Sequence, residues 1–361
     1  MDWEQFFKKT LEVVQPYQPG LREEQVRVVA QTSDIYKLSS NESPLPPFPA
    51  ALAAMHGCLE SLNEYSDGSV HALTERLSQK YRLPAGQIMV GNGTNELLSL
   101  IAESCLGPCD EIVYGWPSFV VYRMSAQIAG ATYREVPLTP DGAYDLEGIL
   151  AAVTPQTKIV YVCSPNNPSG GVVTGAEFDA FIRKVPGHVL TVIDNAYVEF
   201  VDGEDTFDAL AYFDGVRPYV VLRTFSKAYA LAGLRIGYGF APCALVDVID
   251  KLREPFNVNT VAQVAALACV DDDAELARRR ALNTAGRERL YGCFDRLGLR
   301  YFRSAGNFVW VFVPNAAAAF DQLLRRGIIV RPFPGANGLR VGVGDEEGVS
   351  AVIREFEELF A

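Results

Sequence analysis

Residues 222–239 read LRTFSKAYALAGLRIGYG. The stretch is mostly small or apolar apart from three cations, Arg223, Lys227 and Arg235, of which the last two stand inside its small-residue part, and it holds no acidic residue. Lysines ordinarily sit in water. This one follows the β-branched run PYVVL (218–222) and lies between Ser226 and a series of Ala, Gly and Leu. That setting points to an amine held at the end of a buried strand. The plainer alternative is a lysine whose stem snorkels along an apolar face to solvent.

The same arrangement recurs upstream. QIMV (87–90) runs into GNGTN (91–95), KIVYVC (158–163) into SPNNP (164–168), and VLTVI (189–193) into Asp194, Asn195, Ala196 and Tyr197. Helical stretches such as VHALTERLSQKY (70–81), NELLSLIAESCL (95–106) and GAEFDAFIRKV (175–185) lie between such runs. The alternation predicts an α/β fold with a mostly parallel sheet between layers of helices. Ligands of open α/β sheets bind outside the carboxyl ends of the strands, and parallel strands bring all four polar clusters to that one edge. Taken singly, each has a bland explanation. GNGTN can be a strand-to-helix turn with Thr94 as N-cap, SPNNPSG a turn, Asp194 a helix cap, and Arg235 a surface residue. GNGTN is also no dinucleotide fingerprint, because Glu96 stands at the third glycine position. A glycine-rich turn opening a helix nevertheless offers backbone N–H groups to an anion.

A chain of 361 residues suggests about two domains. VVQPYQPG (13–20) and the proline-rich SSNESPLPPFPA (39–50) mark residues 1–40 as an N-terminal arm. The alternating pattern spans 41–245, the larger domain. From 246 to 361 the chain reads as a smaller α+β domain, with strand candidates in NFVWVFVP, GIIVRPF and GLRVGVG; the arm is expected to pack with it. The net charge of −12 argues against a nucleic-acid binder, which needs a basic face. A small anion held by a few local cations remains open. Seven cysteines, an odd number without a CxxC pair, give no zinc framework, so no metal is expected. MDWEQFFKKT does not read as a signal peptide, and no apolar run is long enough for a membrane span. The expected location is the cytoplasm.

One cofactor suits this inventory. A lysine beside a phosphate cradle can attach pyridoxal phosphate covalently, and a carboxylate at a strand end can pair with its pyridinium nitrogen. Ser226 and Arg235 can join the glycine turn on the phosphate. The charge of Arg235 near Lys227 favours the neutral, nucleophilic amine.

From about residue 15 onward the chain resembles the fold type I, class I/II pyridoxal-phosphate aminotransferases, most closely the histidinol-phosphate branch. The likeness rests on PYQPG, LSSNESP, GNGTNELL, SPNNPSG, VIDNAYVEF, LRTFSKAYALAGLRIGY, GIIVR and LRVGVG, in that order. It implies that Lys227 anchors the cofactor and moves protons, and that Asp194 pairs with the ring nitrogen. Asn167 and Tyr197 would bond the phenolic oxygen. The phosphate would be held by Thr94, Asn95, Ser226 and Arg235 at the Gly93 turn, and Phe119 would stack on the ring. Tyr65 matches a tyrosine that reaches the cofactor of a neighbouring subunit, which implies a homodimer. Arg340 matches a carboxylate-gripping arginine, Arg331 and Tyr17 match groups near a distal substrate phosphate, and Asn41 falls among the substrate-binding positions. The implied partners are an amino donor, histidinol phosphate, and a 2-oxo acid, 2-oxoglutarate. Aromatic amino-acid transamination, phosphothreonine decarboxylation and a ligand-sensing regulator domain are the alternatives; a DNA-binding head, which the last requires, is not expected ahead of so short an arm. Two positions depart from the family. Asn195 stands where DEAY has Glu, and Ser66 where YPD has Pro.

Overall fold

A computed structural model describes residues 4–202 and 207–361. The chain opens with α1 (Glu23–Arg27), β1 (Tyr36–Lys37), α2 (Pro49–Cys58) and α3 (His71–Tyr81). Next come β2 (Ile88–Gly91), α4 (Thr94–Cys105), β3 (Glu111–Trp116), α5 (Val121–Ala129), β4 (Thr132–Pro137) and α6 (Leu146–Ala152). β5 (Thr157–Cys163), α7 (Gly175–Ile182), β6 (Leu190–Asp194), β7 (Tyr219–Thr224) and β8 (Gly237–Phe240) complete the main sheet. The remainder is α8 (Cys243–Leu252), α9 (Thr260–Cys269), α10 (Asp273–Arg296), β9 (Phe308–Phe312), α11 (Ala316–Arg325), β10 (Ile328–Ile329), β11 (Arg331–Phe333), β12 (Gly338–Gly342) and α12 (Glu346–Phe360).

The seven-stranded sheet has the order β2-β8-β7-β6-β5-β3-β4. Its pairs from β7 to β4 are parallel, whereas β8 runs antiparallel to both β2 and β7. β2 therefore points the same way as the parallel strands, and Gly91, Cys163, Asp194 and Thr224 end at one edge. The central strands read as unbroken apolar runs because helices cover both their faces; β2 and β6 are buried throughout. β4, at the sheet's edge, buries only Val136. Helices begin where polar caps allow. Thr174 and Glu177 form a reciprocal capping box on α7, and Asp272 and Asp345 accept from the third residue of α10 and α12.

The C-terminal part differs in detail from expectation. GIIVRPF is not one strand. β10 pairs in parallel with β1, while β11 belongs to the antiparallel sheet β11-β12-β9. Two apolar clusters hold the described residues together. The larger contains Phe48, the main sheet and its helices, and continues through Val246, Ile249, Ala262, Ala266 and Leu276. So α8 and α9, expected with the smaller domain, bury their apolar faces in the larger cluster. The smaller one joins Leu38 to Leu290, Phe294, Val309, Leu323, Val341 and Phe356. The arm makes contacts in both parts of the chain: Thr10 donates to the Ile128 carbonyl on α5, while Tyr36 and Lys37 pair with β10.

Candidate active site

A cavity of about 270 Å³ opens where β2, β5, β6 and β7 end, and it gathers most of the candidates. Thr94, Asn95, Phe119, Asn167, Asp194, Tyr197, Ser226, Lys227 and Arg235 line it from the large sheet. Tyr17, Asn41 and Arg340 close it from the other side. Gly93, Tyr65 and Arg331 are not on its wall.

Lys227 follows Thr224, whose hydroxyl accepts from Ser226 N at 3.0 Å and turns the chain at the strand end. Its Nζ donates to the Ser40 carbonyl at 3.2 Å. Dehydration is the strongest influence on the amine and, with the charges of Arg340 and Arg235, brings its pKa down to about 8; Glu42 and Asp194 pull the other way. A lysine so placed is nucleophilic and able to shuttle protons near neutral pH.

Asp194 is 3 % exposed. Its Oδ2 accepts from Tyr122 OH at 2.7 Å and its Oδ1 from Ala196 N at 3.1 Å, so it is no helix cap. Burial pushes its pKa up, against the pull of those two bonds and the Lys227 charge. A buried carboxylate without an ion-pair partner among the described residues is suited to a cationic ring nitrogen. Tyr122 is itself clamped, stacked on Tyr161 at 4.5 Å. Nothing in the sequence around α5 signalled this role. Asn195, the departure from the family pattern, ties two strand ends together: its N–H bonds the Leu222 carbonyl and its Nδ2 the Ser164 carbonyl at 2.6 Å.

The candidate phosphate cradle lies at the start of α4. Gly93, not Thr94, is the N-cap, at φ +82°. Thr94 and Asn95 are then first-turn residues, whose N–H groups lack partners inside the helix. A Cβ on Gly93 would lie 2.6 Å from Arg235 Nη2, and one on Gly237 2.6 Å from Thr94 N. Both glycines thus permit the close approach that sets Arg235 beside the cradle.

Arg340 and Arg331 stand directly opposite one another on β12 and β11. Like charges across a strand pair are destabilising unless an anion joins them. Burial, then the Arg331 charge, lowers Arg340 to about 10. Arg340 donates to Asn167 Oδ1 and to the Ser39 carbonyl, and its buried Nε has no partner among the described residues. Arg331 donates to the Gln18 carbonyl at 3.0 Å, beside Tyr17. Asn41 Nδ2 donates to Tyr197 OH at 3.0 Å. Tyr65 lies apart, 85 % exposed and stacked on Phe256 at 4.7 Å. Glu42, not among the candidates, also lines the cavity; its acidic side chain gave no signal in a proline-rich connector.

The fold and this site define a class I and II aminotransferase: that family matches residues 33–356, and the chain belongs to it. Within the family, the chain is 40% identical to the histidinol-phosphate aminotransferase of Moorella thermoacetica over 96% of its own length and 91% of the relative's. It is 39% identical to that of Bacillus velezensis, covering 98% and 99% of the two chains. The crystal structure of the Sinorhizobium meliloti histidinol-phosphate aminotransferase in complex with pyridoxal-5'-phosphate is similar with a TM-score of 0.89 and 26% identity, over 98% of this chain and 97% of that one.

Proposed function

We propose that the chain binds pyridoxal 5'-phosphate on Lys227 and transfers the amino group of histidinol phosphate to 2-oxoglutarate, yielding imidazole acetol phosphate and glutamate in histidine biosynthesis. The residues fit that cofactor. The N–H groups of Thr94 and Asn95, with Ser226 and Arg235, suit its phosphate; Asp194 suits the ring nitrogen, and Phe119 a ring face. Tyr197 would donate its hydroxyl to the phenolic oxygen. Asn167 would donate its amide there too, since its Oδ1 is occupied by Arg340. When bound, the cofactor supplies an aldehyde that takes up the amine and a protonated ring that draws electrons. Lys227 Nζ would yield its place to the substrate amine, take the proton from the carbon bearing that amine, and deliver it to the cofactor's former aldehyde carbon, so that the amino group stays behind when the keto product leaves. Asp194, steadied by Tyr122, keeps negative charge beside the ring nitrogen.

The observation that carries the choice of substrate is the facing pair Arg331 and Arg340, beside Tyr17. A phosphate monoester bears close to two negative charges, and arginine holds it by charge-assisted, often bidentate bonds. The test is a set of single-turnover half-reactions followed by the cofactor spectrum, with histidinol phosphate, phenylalanine, tyrosine, glutamate and phosphothreonine. Histidinol phosphate and glutamate should react fastest. Faster turnover of phenylalanine than of histidinol phosphate would overturn the assignment in favour of an aromatic aminotransferase.

The active unit is proposed to be a homodimer, with Tyr65 reaching a neighbouring subunit. The exposed, stacked aromatic pair Tyr65 and Phe256 supports it. The proposed compartment is the cytoplasm, which suits seven free cysteines. No helix among the described residues is long and apolar enough to cross a membrane.

A further inference from the structure

One charged group on the cavity wall, Glu42, has no part in the chemistry of cofactor and phosphate. It stands at a junction. A side hollow of about 370 Å³ shares Asn41, Glu42 and Ala232 with the cavity and continues past Lys37, Glu23 and Gly233. The two spaces differ in charge. The cavity carries Lys227, Arg235 and Arg340 against Asp194 and Glu42, whereas the hollow carries Glu23 and Glu42 against Lys37.

Glu42 is firmly held. Asn307 Nδ2 donates to the carbonyls of Asn41 at 3.0 Å and Glu42 at 3.4 Å, and Asn41 in turn bonds Tyr197. Lys37 Nζ lies 2.9 Å from each carboxylate oxygen. A carboxylate has acceptor capacity beyond one ammonium, and 42 % of this side chain remains exposed. Its charge is also felt at the Lys227 amine.

Histidinol phosphate is polarised in the same sense as the double chamber. One end is a phosphate, matched to Arg331 and Arg340; the other is an imidazole, an N–H donor that readily turns cationic. We propose that Glu42 is the specificity residue for the imidazole end, accepting its ring N–H where the cavity meets the side hollow. The proposal rests on histidinol phosphate being the substrate.

The test compares histidinol phosphate with phenylalaninol phosphate, which keeps the amine, the phosphate and an aromatic ring but has no ring N–H. The wild-type holoenzyme should prefer histidinol phosphate in kcat/KM. Glu42→Leu should cut that preference about tenfold, mostly through KM, and Glu42→Gln, which keeps a carbonyl acceptor, should cut it less. Glu42 is exposed, so both variants should fold. If the wild type turns over histidinol phosphate and the preference stays within about twofold in both variants, Glu42 does not read the ring and the inference fails alone. If the wild type does not turn over histidinol phosphate, the substrate assignment fails and this inference with it.

Discussion

The Lys227 amine loses most of its affinity for a proton to dehydration, standing at about 8 against 10.5 for the free side chain. A lowered pKa makes the neutral form dominant above about 8, well before an ordinary surface lysine gives up its proton. The rate at which apoprotein takes up pyridoxal phosphate should therefore climb with pH to a midpoint near 8; a midpoint near that of a free lysine would refute the assignment. Asp194 presents the opposite case. Burial raises it and Tyr122 OH opposes that rise. Tyr122→Phe deletes a hydrogen bond to a charged group, a matter of about 2 kcal/mol. The acid limb of the kcat profile should move to higher pH while the cofactor stays bound; an unmoved limb would show that Tyr122 merely fills space. Lys227 and Asp194 stood out in the sequence because charge at the end of an apolar run is rare. Tyr122 did not, because an aromatic residue in an amphipathic helix is ordinarily core, and its partner lies 72 positions away.

The turn from β2 into α4 depends on a glycine for two separate reasons, a left-handed backbone and the nearness of Arg235 Nη2. Gly93→Ala should weaken pyridoxal phosphate binding by about 2 kcal/mol, roughly 30-fold, from backbone strain plus displacement of Arg235. Titration of apoprotein measures it, and unchanged affinity would mean the phosphate sits elsewhere. Among the strands, the four that carry the site were readable, since sheets covered on both faces leave long β-branched runs. β8 was not. Gly237, Tyr238, Gly239 and Phe240 look like the tail of the lysine loop, and its glycines are there for close contact rather than for strand propensity. The division of GIIVRPF between two sheets escaped for a related reason. Ile328 and Ile329 pair with a strand some 290 positions earlier, which no local pattern can announce.

Residues from both apolar clusters flank the site, Tyr197 from the larger and Leu339 and Val341 beside Arg340 from the smaller, so whole-chain behaviour bears on chemistry. If Tyr65 serves the neighbouring subunit, Tyr65→Ala and Lys227→Ala impair different halves of a shared site. Mixing the two unfolded chains and refolding them together should restore about one site in four, the share expected from random pairing of a symmetric dimer. No recovery on mixing, or a fully active monomer in sedimentation, would refute the shared site. A last consequence comes from α10. Its 24 residues set Leu276 in the larger cluster and Leu290 and Phe294 in the smaller. The helix is thus a keyed shaft between two bodies, and its thread fixes their angle. Adding one residue between Leu276 and Leu290 turns everything beyond it by about 100° and advances it about 1.5 Å. Arg340 would then swing away from Asn167, and transamination should be lost, with the helix content in circular dichroism largely kept; an active insertion variant would show the shaft to be slack. Chimaeras that exchange the C-terminal body between relatives by a cut within α10 must for the same reason be spliced in helical phase.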